Sequence, residues 1–409
     1  MIPFSPPRID QKIIDEVVDT LKSGWWTTGP KTKLFEAKLA DYTGVKSILA
    51  ISSATTGLEL ILRWFGVKEG DEVIVPVYTY CATANVVVHC GAIPVFVDVN
   101  PDDFNISTSE ILKKITSRTK VIIPVDLGGF PADYTSINKI VEDPDIKKLF
   151  IPDNEIQKKL GRILVLSDAA HSFGAEYKGR KTGILTDVSV FSFHAVKNLA
   201  TGEGGAIALN LPSPFDNVET QKSLAISSLH GQNKDALSKM QIGNWRYDVI
   251  EAGYKSNMTD ILASIGIVEL SRYDNDTILK RKKIFLKYSE EFSKYSWAEI
   301  PTYITRERQT SFHVYLLRIK GITEIERDKI IQNIFDLDVS VNVHFQPLPM
   351  LSVYKKMGYK MDQFPVAYDN YSREISLPVY YDLSDEQIDE VVRVVIKSVE
   401  VVLKIKKTI

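Results

Sequence analysis

The chain has 409 residues, 44% of them hydrophobic and 25% charged, which is enough apolar material for a large globular core divided into two domains. Its 50 basic and 52 acidic residues leave a formal charge of −2, so no excess of positive field exists to hold a nucleic-acid backbone or an anionic membrane. Two cysteines, Cys81 and Cys90, can assemble neither a disulfide framework nor a zinc cluster, and they fit a reducing compartment.

The N-terminal MIPFSPPRID lacks the basic region and apolar core of a signal peptide, and no stretch approaches the roughly 20 apolar residues that span a bilayer, so a cytoplasmic location is expected. Ile13, Ile14, Val17, Val18 and Leu21 share one helix face. That helix should stop at Gly24, and the Trp25-Trp26-Thr27-Thr28-Gly29-Pro30 loop that follows is free to line a site. From Ser47 to Leu209, seven runs rich in Val and Ile recur: SILAIS, DEVIVP, IPVFVDV, KVIIPVDL, RILVLSD, VSVFSFH and GAIAL. Stretches with helical spacing separate most of them, which predicts βαβ units and a mainly parallel sheet covered on both faces, in a large domain over residues 1–245. Residues 133–161 read as an extended, charged surface excursion without chemistry of their own. Residues 246–409 turn to long amphipathic helices with a few strands, SFHVYLLRIK and VSVNVHF among them, and predict a smaller α+β domain. In the last helix Ser384 and Gln387 form a capping box, and Ile388, Val391, Val392, Val395, Val399 and Val402 make the buried stripe.

The stretch from Phe191 to Gly205, FSFHAVKNLATGEGG, sets Lys197 among small and polar residues directly after an apolar strand. Asp168 ends the strand RILVLSD, and Ser52-Ser53-Ala54-Thr55 stands where SILAIS gives way to a helix. Strand ends are where α/β sheets place ligands. Taken singly, Lys197 reads as a surface lysine, Asp168 as a helix cap and the Ser-Ser-Ala-Thr turn as an ordinary helix start. Together they supply an amine, a carboxylate and an anion cradle.

Nine blocks, among them SGWWTTGP, ISSATTGLEL, GDEVIVPVYTYCATANVV, SDAAHSFGAEYKG, FSFHAVKNLATGEGG, GYKSNMTDILASIG and VHFQPLP, resemble in sequence and order the DegT/DnrJ/EryC1/StrS group of pyridoxal 5'-phosphate (PLP) sugar aminotransferases. The resemblance implies the type I fold of PLP-dependent transferases, like that of aspartate aminotransferase. It makes Lys197 the amine that carries the cofactor and later moves protons, and Asp168 the partner of its pyridinium nitrogen. The cofactor phosphate would lie at the helix start of Ala54 and Thr55, with a hydroxyl from Ser192. Tyr80 would stack on the ring, and His171 would pack near its other face or orient Asp168. Relatives are dimers that lend a loop to the neighbouring site. Here that loop is GYKSNMTDI, with Lys255 or Asn257 as the phosphate contact.

Nothing outside the resemblance identifies a sugar. The version with His194 three residues before the lysine, followed by TGEGG, resembles enzymes that aminate the C4 carbonyl of a nucleotide-linked 4-keto-6-deoxy sugar with L-glutamate as donor. Trp25, Thr28, His194 and His344 would border that sugar. Relatives acting at C3 more often carry tyrosine at the His194 position, and a dehydrating branch replaces the lysine by histidine. The alternatives are amination at C3 and a non-catalytic regulator that kept the fold, although no DNA-binding helices are appended.

Overall fold

A computed structural model describes the backbone of residues 1–234 and 245–408, with side chains through 404. All seven apolar runs are strands: β1 Ser47–Ile51, β2 Glu72–Pro76, β3 Ile93–Val97, β4 Thr119–Ile122 and β5 Leu164–Asp168, then β8 Val188–Ser192 and β9 Gly205–Leu209. They form one sheet in the order β1-β9-β8-β5-β4-β2-β3. Every neighbouring pair is parallel except those made by β9, which runs antiparallel to both β1 and β8. Each strand but the edge strand β3 is buried at every position, which is why the sequence reads as unbroken Val/Ile runs and not as alternation. Between β5 and β8 lies a two-strand ribbon, β6 Glu176–Tyr177 and β7 Arg180–Lys181, whose β6 pairs with β11 Arg308–Gln309. In the C-terminal half, β10 Ala298–Glu299, β12 Tyr315–Ile319 and β13 Glu374–Leu377 make an antiparallel sheet in the order β10-β12-β13. Helices Ile278–Phe292, Glu324–Phe335 and Asp385–Thr408 accompany it. The predicted capping box of the last helix is present: Ser384 N–H donates to Gln387 at 3.0 Å, and Gln387 N–H to the Ser384 hydroxyl at 3.2 Å. Its six stripe residues are all buried.

Three expectations change. The segment 133–161 is not extended but folds as helices Tyr134–Glu142, Pro144–Leu149 and Glu155–Leu160, and the polar residues that looked irregular are their N-caps, Asp133, Asp143 and Asn154. Tyr134, Ile137, Ile140 and Val141 anchor the first helix in the core. VSVNVHF is not a strand. Val339 and Asn342 make single bridges to Ile2 and Ser376, and the chain then turns because the His344 N–H donates to the Glu374 carboxylate instead of to a ladder. The first helix, α1 Gln11–Lys22, buries Ile13 but leaves Ile14, Val18 and Leu21 exposed on the single chain.

The next helix, α2 Pro30–Thr43, begins at Gly29, which has no side chain to cap it. Asp260 supplies the cap from the start of helix Asp260–Ser271. Its Oδ1 accepts from the N–H groups of Gly29 (2.7 Å) and Thr32 (2.9 Å), and its Oδ2 from that of Lys31 (2.9 Å). Helix Asp260–Ser271 packs against α1 and α2, with Gly266 pressed on Phe35 so closely that a Cβ would lie 2.5 Å from the ring.

Candidate active site

Four strand termini meet at one end of the sheet. Strands β1, β5 and β8 end there, and the antiparallel β9 begins there, its Gly205 paired with both Ile51 and Ser192. From β1 the chain passes through Ser53, whose hydroxyl accepts the Thr56 N–H at 3.2 Å, into helix α3 Ala54–Trp64. The first amides of a helix lack an intrahelical acceptor, so those of Ala54 and Thr55 are available to an anion. Gly205 allows this approach: a Cβ there would stand 2.6 Å from the Ala54 nitrogen and 2.7 Å from the Ser53 carbonyl carbon. After β8 the chain makes the tight turn that carries Lys197, closed by Lys197 N–H to His194 O (2.8 Å) and Thr201 N–H to Phe193 O (2.8 Å).

Lys197, Asp168, Ala54, Thr55, Tyr80, Ser192, His171, His194 and His344 all line one cavity of about 510 Å³. Burial pulls the Lys197 amine down to about 8, opposed by the charge of Asp168, so a sizeable fraction is neutral and nucleophilic near neutral pH. Burial pushes the Asp168 carboxyl up. The Thr83 hydroxyl, the Ala170 N–H and Lys197 work against that shift. Thr83 Oγ1 donates to Asp168 Oδ2 at 2.8 Å and Ala170 N–H to Oδ1 at 3.3 Å, so these two groups, and not His171, orient the carboxylate.

His171 instead packs in a cluster of rings: its centroid is 4.5 Å from that of His313 and 5.8 Å from that of Phe345. Among the described residues its buried Nδ1 has no hydrogen-bond partner. Burial and Lys197 hold the imidazoles of His171, His313 and His344 neutral, His171 and His313 well below the usual histidine range and His344 at about 3. Tyr80 lies open along the cavity, 5.7 Å from the ring of Phe345. His194 sits at the rim, its Nε2 3.7 Å from Glu203 Oε1.

Trp25, Thr28 and Lys255 do not reach this cavity within one chain. Thr28 donates to the Met258 carbonyl and accepts from Asn257 Nδ2 at 2.6 Å, while Lys255 Nζ donates to Asn257 Oδ1. The Trp25 indole lies against Gly29, and its buried N–H has no hydrogen-bond partner among the described residues. These three residues and Asn257 form a second cluster, fastened to α2 through Asp260. Several residues of the site carried no signal of their own in the sequence: Thr83, buried behind the cavity wall and bonded to Asp168; His313, read as part of a strand; and Phe4, Asn342 and Phe345, which line the cavity with it.

The residues present fit a phosphorylated pyridine aldehyde. A lysine amine, a buried carboxylate already oriented by two donors, a glycine-opened helix start and the unbonded Nδ1 of His171 share one cavity. Among the described residues no cluster of His, Cys, Asp or Glu could hold a metal ion, and no helix is long and apolar enough to cross a membrane.

Comparison with known proteins agrees with this arrangement. The model of the DegT/DnrJ/EryC1/StrS aminotransferase family matches residues 7–153 and 154–396. Spr1654 of Streptococcus pneumoniae, described as a sugar aminotransferase, superimposes in its PMP-form with a TM-score of 0.94 at 44% identity, covering 98% of this chain and 100% of that one. Its PLP-form gives 0.93 at 42% identity, over 98% and 99%. The spore coat polysaccharide biosynthesis protein SpsC of Bacillus subtilis is 34% identical over 96% of both chains. The UDP-4-amino-4-deoxy-L-arabinose–oxoglutarate aminotransferase of Shewanella sediminis is 32% identical, again over 96% of both. With the match running from residue 7 to residue 396 and relatives aligned over nearly their full lengths, the chain belongs to the DegT/DnrJ/EryC1/StrS aminotransferase family.

Proposed function

We propose that this aminotransferase binds PLP through Lys197 and transfers the amino group of L-glutamate to the C4 carbonyl of a nucleotide-linked 4-keto-6-deoxy sugar, in the cytoplasm and as a homodimer with shared sites. The observation that carries the reading is the convergence of Lys197, Asp168 and the start of α3 on one cavity, with the amine drawn down to about 8. PLP, when bound, supplies an electron sink for the carbon that loses its proton. Lys197 Nζ then takes that proton and returns it, for which an amine that is partly neutral near pH 7 suits both directions. Asp168, held by Thr83 and the Ala170 N–H, keeps a proton on the pyridine nitrogen. The N–H groups of Ala54 and Thr55, with Ser192, hold the phosphate, and Tyr80 covers the ring.

Amination at C4 is supported by His194 three residues before the lysine and by the relative from Shewanella sediminis, whose name places its amino group at position 4 and pairs it with oxoglutarate. The sharing of sites is supported by the cluster of Trp25, Thr28, Lys255 and Asn257, none of which lines the chain's own cavity although Asn257 bridges to Ile51 at the end of β1, and by the exposed apolar residues Ile14, Val18 and Leu21. The test is a panel of 4-keto-6-deoxy and 3-keto nucleotide sugars with glutamate as donor and NMR of the product. A 4-amino product supports the reading, a 3-amino product replaces it with the C3 reaction, and a blank panel removes the substrate assignment. Lys197→Ala should lose the visible absorbance of the holoenzyme and all turnover.

A further inference from the structure

His344 stands at the end of a hydrogen-bonded chain that the reaction above does not use. Glu374 and Ser376 are two residues apart on β13, so their side chains leave the strand on the same face. Ser376 Oγ lies 2.6 Å from Glu374 Oε1 and 2.9 Å from His344 Nδ1, and the His344 N–H donates to Glu374 Oε2 at 3.1 Å. Glu374 and Ser376 are fully buried, whereas His344 lines the cavity, with Nε2 as its remaining nitrogen.

A hydroxyl has one proton to donate and can accept at the same time, so Ser376 transmits a direction. With Glu374 ionised, the Ser376 O–H donates to the carboxylate, Oγ accepts from Nδ1–H, and Nε2 faces the cavity as a bare acceptor. With Glu374 protonated, its O–H donates to Oγ, the Ser376 O–H donates to Nδ1, and Nε2 carries the proton as a donor. Ionisation then moves one proton in three linked steps: from Glu374 to Ser376 Oγ, from Ser376 to Nδ1, and from Nε2 to water in the cavity. We infer that Glu374, acting through Ser376, sets the tautomer of His344, and so decides whether the cavity offers a donor or an acceptor to an oxygen of the substrate. The donor arrangement, Nε2–H with Glu374 protonated, suits a carbonyl, hydroxyl or phosphate oxygen, and this use of the device rests on the proposal that the cavity takes a keto-sugar nucleotide.

The surroundings place the switch in the working range. Glu374 faces Arg318 on β12, Arg327, which donates to the Glu374 carbonyl at 3.1 Å, Tyr78 and the His344 N–H. Both arginines are engaged elsewhere, Arg318 with Glu299 and Asn370, and Arg327 with Asp328 and the Tyr371 carbonyl. Among the described residues no cation within 4 Å pairs with the Glu374 carboxylate, and burial pushes its carboxyl up to about 8. His344 is faced by Lys197, by the rings of His171 and Phe345, and by Phe4, stacked on it at 5.5 Å; His313 lies beyond His171. Because the imidazole stays neutral throughout, the change is one of tautomer and not of charge.

The test uses the full-length holoenzyme labelled with 15N-histidine, with the His344 signals assigned by their loss in His344→Gln. The expected result is protonation at Nε2 below about pH 7 and at Nδ1 above about pH 9, since the nitrogen shifts distinguish the two tautomers. Glu374→Gln, whose amide oxygen is claimed by the His344 N–H so that its NH2 faces and donates to Oγ, should hold the Nε2–H form across that range, and Ser376→Ala should uncouple His344 from pH. One tautomer across the whole range in the wild type overturns the inference, as does a transition that survives in either variant. The KM for the sugar should rise roughly three- to tenfold across the transition, the worth of one hydrogen bond, and this rise should vanish in Glu374→Gln. The NMR readout needs no sugar, so a blank substrate panel beside an intact tautomer change defeats the substrate proposal alone, and the reverse result defeats the relay alone.

Discussion

Replacing Gly205 by alanine tests the anion cradle directly. The glycine opens β9 between β1 and β8 without left-handed backbone, so alanine meets no conformational penalty and only steric crowding. The added Cβ would sit 2.6 Å from the Ala54 nitrogen, 2.7 Å from the Ser53 carbonyl carbon and 2.8 Å from the Phe191 oxygen, against ordinary contacts that begin at 3.4 Å. All three are backbone atoms, on the start of α3 and on β8, so no side chain can swing aside. Overpacking of this kind costs about 1–3 kcal/mol, and the start of α3 is the part least tied into the sheet. Its first amides should move by most of an ångström, which lengthens hydrogen bonds to a bound phosphate and weakens PLP binding about tenfold, the equivalent of ~1.4 kcal/mol. Urea unfolding of the apoprotein reads the first effect, and titration with PLP beside pyridoxal, which lacks the phosphate, reads the second. An unchanged urea midpoint refutes the crowding, and equal losses for the two ligands refute the placing of the phosphate at Ala54 and Thr55.

Thr83→Val removes one donor from Asp168 while keeping the shape, and should lower kcat roughly three- to tenfold with little change in the KM for the sugar; steady-state kinetics equal to wild type would remove Thr83 from the site's machinery. His171, His313 and His344 are neutral in the fold, whereas the unfolded chain protonates them near 6.5, so their contribution to stability is complete above that pH and is lost as pH falls below it. His171→Asn should therefore flatten the acid limb of the urea midpoint plotted against pH, and a limb as steep as the wild type's speaks against a buried neutral imidazole. Lys197→Ala mixed with the double variant Lys255→Ala, Asn257→Ala should recover about a quarter of wild-type activity, because half the dimers are hybrids with one intact site of two. No recovery after subunit exchange means that each site is built within one chain.

The sheet was legible because nearly every strand is covered on both faces, and a strand buried on both faces is written mainly in Val, Ile, Leu and Ala. Lys197, Asp168 and the Ser53–Thr55 turn were legible because they follow such strands directly. What failed to appear was set by distance along the chain. Thr83 meets Asp168 across 85 residues, and its type and spacing suit the first turn of any helix. His313 and VSVNVHF look like strand in composition, yet the backbone at His344 pairs with a buried carboxylate, which periodicity cannot report. The segment 133–161 misled for the opposite reason: short helices bury too few residues to show a period, so only Asp133, Asp143 and Asn154 mark them, as caps. The loop of Trp25 and Thr28 was foreseen as a loop, but its direction depends on a carboxylate more than 200 residues away.

That carboxylate, Asp260, has a consequence for anyone exchanging specificity between relatives. Because it holds the first turn of α2 while the neighbouring Asn257 holds Thr28, the loop 25–30 and the loop 253–260 behave as one inserted part supplied in two pieces. A chimera that imports the first piece alone inherits a helix whose cap belongs to another protein. Grafts that carry both pieces together should fold and retain their donor's preference, and singly grafted loops should give poorly soluble chains whatever sugar they were chosen to accept.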